Sequence, residues 1–137
     1  MDILKKILYL FLLLMFVFVS GCTFERGLIL FNSSPITQYN ALHDQKVFNE
    51  GDKVYYLFIA PKELDNDLIR IQVFSMTDKA LLGGEDVVRT VDVRLMKDER
   101  YYYTDYFTLW QKGKYVLQVF SHDDFTHPLA VNFFYVQ

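Results

Sequence analysis

From residue 46 to its end the chain breaks into short apolar segments divided by polar turns, and this rhythm admits few folds. "LIRIQVFSM" alternates strictly, with Ile69, Ile71 and Val73 on one side and Arg70 and Gln72 on the other. "VVRTVDVRL" does the same, placing Val91, Val93 and Leu95 inward and Thr90, Asp92 and Arg94 outward. A period of two is the mark of a half-buried strand, because successive side chains leave an extended backbone on opposite faces. Between such segments lie "NEGD" (Asn49–Asp52), "PKELDND", "LLGGED" with a Gly83–Gly84 turn, "KDER" and "HDDFTHP". "KVYYLFIA" is apolar on both faces, which predicts a central strand covered on both sides. "YYYTDYFTL", "YVLQVFS" and "LAVNFFYV" complete the series. Strands repeating at roughly 8–12-residue spacing predict an all-β fold, a single antiparallel β-sandwich of about seven strands or a small barrel.

Composition agrees where it bears on the fold. Aromatic residues make up 18% of the chain, with 13 Phe and 10 Tyr against one Trp, and most are interleaved with Val, Ile and Thr as in strands. No Ser/Gly or Pro-rich linker divides the 137 residues and no internal repeat occurs, so one domain is expected. A net charge of −3 excludes the basic surface that nucleic acid requires. The single cysteine, Cys22, excludes an internal disulfide.

That cysteine sits in "MDILKKILYLFLLLMFVFVSGC", which has the three parts of an export signal. Lys5 and Lys6 supply positive charge, weakened by Asp2, and Ile7 to Val19 form an uncharged apolar run of 13 residues. The run is short for a permanent anchor, since a spanning helix needs about 20 apolar residues. Val19-Ser20-Gly21-Cys22 resembles the lipobox of bacterial lipoproteins at all four positions. The resemblance implies cleavage between Gly21 and Cys22, lipid on the Cys22 sulfur, and attachment to the membrane through that lipid. Thr23 stands where an Asp would hold such a protein at the inner membrane, so the resemblance favours the outer membrane. Residues 1–21 are then a signal peptide, 22–35 a lipidated tether or first strand ("GLILF"), and 36–137 the sandwich. Asp2, Lys5 and Lys6 sum to +1, so their removal leaves the remainder at −4.

A second resemblance concerns the sandwich. In "LWQKGKYVLQV", Gly113 marks a tight turn and Tyr115 opens a strand, with Leu117 and Val119 on the same face. This resembles the tyrosine corner of immunoglobulin-like domains, where a Tyr on the penultimate strand bonds back to the preceding corner. Phe107 and Leu109 would be its apolar partners.

Signals for chemistry are sparse. His122, Asp123, Asp124 and His127 in "SHDDFTHP" form a weak candidate for a divalent metal, because imidazoles and carboxylates near one loop are suitable donors. Their spacing matches no established ligand motif, and Asp also serves as an ordinary turn cap. His43 and Asp44 are adjacent, which on an extended backbone points them apart. Neither "GxSxG" nor "HExxH" nor a phosphate-binding glycine loop is present, and no cofactor is implied.

The remaining feature is "ERYYYTDYF", Glu99–Phe107. Alternation places Tyr102 and Tyr106 on one face and Tyr101, Tyr103 and Phe107 on the other. One set belongs to the core, and the other is a candidate aromatic strip for contact with a protein or glycan partner. The expectation is a membrane-anchored envelope lipoprotein acting as a non-enzymatic interaction module. A structural or assembly accessory of an envelope complex is the alternative, and a metal-binding or enzymatic domain is a third.

Overall fold

Alternation divides each strand into an inner and an outer set, and the chain uses that division to lay two sheets face to face. The computed structural model describes residues 26–76 and 86–137. Within them the strands are β1 (Leu28–Asn32), β2 (Val47–Phe48), β3 (Lys53–Ile59), β4 (Leu68–Met76), β5 (Asp86–Arg94), β6 (Tyr102–Thr108), β7 (Gly113–Ser121) and β8 (Ala130–Val136). A three-stranded sheet has the order β1-β3-β6 and a five-stranded sheet the order β2-β8-β7-β4-β5. The architecture is an all-β two-sheet sandwich, one of the two folds that the strand spacing predicts. The expected Gly83–Gly84 turn lies outside the described residues.

The inner sets meet in one core. Ile29, Phe31, Val54, Tyr56, Phe58 and Phe107 come from the small sheet, and Ile69, Ile71, Val73, Tyr115, Leu117, Val119, Phe134 and Val136 from the large one. Phe134 is the hub: its ring centroid lies 4.9 Å from Phe31, 5.9 Å from Phe48, 5.7 Å from Phe107 and 5.6 Å from Tyr115. Each such side chain contributes about 1.5–3 kcal/mol by leaving water. The tyrosine corner is present. Tyr115 is 2% exposed and its hydroxyl donates to the Gln111 carbonyl at 2.7 Å. Burial raises its pKa above the usual phenol value.

Two details depart from the expectations. β2 pairs with β8 in parallel, Val47 opposite Tyr135, so the sandwich is not wholly antiparallel. The pairing is possible because β2 arrives through a long loop and not through a hairpin. β3 is central, but only its inner face is buried, while Tyr55 and Leu57 are half-buried and Ile59 is exposed. β1 hydrogen-bonds along β3 from Leu28↔Ile59 to Asn32↔Tyr55, so "GLILF" is a first strand, one of the two readings of residues 22–35.

The outer edge of β1 is closed by side chains. Asp44 Oδ1 accepts from the Phe31 amide at 2.8 Å, and Asn132 Nδ2 on β8 donates to the Ile29 carbonyl at 2.7 Å. Lys46 ties the two together, donating to Asn132 Oδ1 at 2.6 Å and lying 2.8 Å from Asp44 Oδ2. An exposed strand edge invites pairing with another chain, and this network occupies it while stitching one sheet to the other. Just before β1, the Gly27 amide donates to the Leu129 carbonyl at 2.7 Å. A Cβ on Gly27 would stand 2.7 Å from the Ile59 carbonyl oxygen, so only glycine lets the chain pass there.

Candidate functional site

The outer face of the three-stranded sheet follows from register. Leu28 pairs with Ile59 and Ile59 with Tyr102, giving one cross-strand row at the end where the chain enters. Leu30, Leu57 and Thr104 form the next row, and Asn32, Tyr55 and Tyr106 the third. None of these nine outward residues is charged. Lys53 begins the fourth row, its ammonium 4.9 Å from the Tyr106 ring centre. The outer face of the large sheet is different in kind, carrying Arg70, Asp92, Lys114 and Gln118 among its apolar residues.

A groove of about 370 Å³ runs along this face. Leu57, Ile59 and Thr104 form its floor, Tyr101 and Tyr102 one wall, and Ile36 and Ala41 of the β1–β2 loop the other. No charged side chain lines it. The loop stays folded because Asn40 Oδ1 accepts from the Thr37 amide at 2.7 Å and Asn40 Nδ2 donates to the Pro35 carbonyl at 3.0 Å. Its turn presents Tyr39 and Leu42 to solvent, 86% and 94% exposed.

Of the tyrosines singled out in the sequence, Tyr102 and Tyr106 project from this face as alternation predicts. Tyr103 turns inward with Phe107, is half-buried and packs against Tyr56 at 6.3 Å. Burial and the nearby Asp105 carboxylate raise its pKa above the usual value. Tyr101 departs from the alternation because it precedes β6. It is exposed, lines the groove beside Tyr102, and its hydroxyl lies 3.4 Å from Glu63 Oε2. Ile36, Ala41, Leu57 and Ile59 were not singled out. The signal that marks their region is "GLILFNSSPITQYNAL", residues 27–42, which contains no charged residue.

The four residues of the metal candidate are separated. His127 Nδ1 pairs with Asp124 Oδ2 at 3.0 Å. Asp123 accepts from Asn66 at 2.8 Å. His122 turns to Asp92 on β5, 3.5 Å away, and sets its ring edge-on to Phe125. Among the described residues, no three His, Cys, Asp or Glu side chains converge as a metal site would need. Asp124 caps its own turn, accepting from the Thr126 hydroxyl at 2.6 Å and the Thr126 amide at 2.8 Å. These bonds, with that to His127, hold its pKa well below the usual carboxylate range. Asp92 is fixed by Arg70, whose Nε and Nη2 donate at 2.8 Å and 3.0 Å while its guanidinium lies 4.4 Å from the Phe125 ring centre. The Arg70 bonds, aided by His122, lower the Asp92 pKa to about 2. The cluster reads as a solvent-exposed loop held by its own hydrogen bonds.

Gly21 and Cys22 lie outside the described residues. Among those described, no helix is long and apolar enough to cross a membrane. No protein-family model matches the chain, and no curated protein matches its sequence. Its fold is similar to the crystal structure of an immunoglobulin-like protein from Pseudomonas aeruginosa. The TM-score is 0.51 at 14% identity, over 80% of this chain and 92% of the other. At that identity the likeness concerns the fold alone.

Proposed function

We propose that the chain is a bacterial envelope lipoprotein, cleaved between Gly21 and Cys22 and held by lipid on Cys22. Its folded domain is a non-enzymatic interaction module. The lipobox residues Val19-Ser20-Gly21-Cys22 support the anchor, and Thr23 supports the outer membrane. The observation that carries the interaction role is the uncharged outer face of the small sheet, with its groove and with Tyr101, Tyr102 and Tyr106. Contiguous apolar surface on a folded domain marks a contact site, and tyrosine gives large contact area at small cost in rotamer entropy.

Two measurements test this. Cys22→Ala should accumulate uncut precursor and lose lipid labelling; membrane attachment with processing intact in that variant overturns the anchor. A photo-crosslinking residue at position 102 should form adducts in cells, while one at Thr90, on the opposite sheet, should form few. Equal yields at the two positions overturn the assignment of the contact face.

A further inference from the structure

The uncharged face begins a few residues after Cys22, and that closeness in sequence selects its partner. Five residues lie between Cys22 and Leu28, so the two are at most about 20 Å apart when the chain is fully extended. Leu28 begins the row Leu28–Ile59–Tyr102, so the end of the face nearest the lipid is aliphatic and aromatic. The next element, the loop carrying Tyr39 and Leu42, folds over the same face and walls its groove. Thus the chain from Gly27 to Leu42, uncharged throughout, is delivered within a short reach of the acylated residue.

Resting on the lipoprotein reading, we propose that this face lies on the bilayer that holds the lipid, with Tyr39 and Leu42 seated at the headgroup level. Tyrosine suits that layer because its ring is apolar and its hydroxyl stays hydrated. Tyr39, Tyr101, Tyr102 and Tyr106 all retain exposed surface on or beside this side of the domain. Leu28, Ile59 and Leu42 supply exposed aliphatic area of the kind that interfacial segments bury. Arg26 just precedes the face and Lys53 ends it, so cations stand where anionic headgroups would meet a domain that is otherwise net negative. The large sheet, with Arg70, Asp92 and Lys114 outward, is then directed away from the membrane.

The test uses the full-length lipidated protein, reconstituted into vesicles of phosphatidylethanolamine and phosphatidylglycerol with brominated acyl chains. In a Trp110→Phe background, one variant carries Leu42→Trp and another Phe133→Trp, the latter on the outer face of the large sheet. Position 42 is in an open turn, so its substitution leaves the packing alone. The expected result is about twofold quenching at position 42, as an interfacial depth of roughly 5–10 Å gives, and none at 133. Intact mass of the same sample reports the lipid on Cys22. If lipid is present and position 42 is unquenched, the docking is overturned while the anchor stands, and the face belongs to a protein partner. Equal quenching at both positions also overturns it, since the domain then has no fixed orientation. Absence of lipid on Cys22 overturns the anchor and the docking with it.

Discussion

Single side chains close the corners of this fold, and the local ones are readable from sequence. Tyr115 bonds to Gln111 only four residues away, so a Gly113 turn followed by Tyr was enough to foresee it. Tyr115→Phe keeps the stacked ring on Phe134 and removes only the hydroxyl. The loss should be about 1 kcal/mol, because Gln111 is exposed and water replaces the donor. Urea denaturation at unchanged m-value measures it. Arg70 and Asp92 were both placed outward by alternation, but their pairing depends on the β4–β5 register, which no local pattern reveals. That pair has a pH signature. Asp92 titrates at about 2 when folded against an ordinary 3.8, so in that interval the unfolded chain binds more protons. Its contribution is therefore full above pH 3.8 and is lost as pH falls towards about 2. Asp92→Asn should be less stable than the parent near neutral pH, and the difference should shrink through that window in urea midpoints measured at each pH.

At the scale of elements, strong alternation located β4, β5, β6 and β7, whereas β2 was hard to define. With only Val47 and Phe48 it has no period to detect, and its parallel partner is 88 residues away. β3 misled for a different reason. A run apolar on both faces implies double burial, yet its Tyr55, Leu57 and Ile59 form the middle of the candidate surface. An exposed apolar face and a buried one share the same residue types. The Lys46–Asn132–Asp44 network was also beyond reach, since its members are polar residues of strand and loop brought together only by packing. Removing its β8 member tests whether it binds the sheets together. Asn132→Ala leaves the Ile29 carbonyl and Lys46 without their partner and should cost about 1–3 kcal/mol. Asn132→Asp keeps an acceptor for Lys46 but sets a carboxylate against the Ile29 carbonyl, so it should not restore stability. Denaturation midpoints of the two variants against the parent decide the matter, and amide exchange at Phe31 reports whether the β1 edge opens first.

For the molecule as a whole, the question is whether the two sheets are one cooperative unit. The floor of the candidate face belongs to the small sheet, which has three strands and one buried side. Its buried side is covered by the large sheet, so its shape is held across the shared core. The core provides that link chiefly through Phe134, a β8 residue whose ring meets Phe31 and Phe107 of the small sheet and Tyr115 of its own. Phe134→Ala should therefore cost about 3–5 kcal/mol, a large share of the roughly 5–15 kcal/mol available to a domain. The loss should fall on both sheets together. Trp110, which packs against Gly51 at the β6–β7 corner, gives a local probe, and far-ultraviolet circular dichroism gives a global one. In parent and variant the two should trace one urea transition, shifted to lower concentration in the variant. A separate early transition would show that the small sheet, and with it the tyrosine face, is held by something other than the shared core.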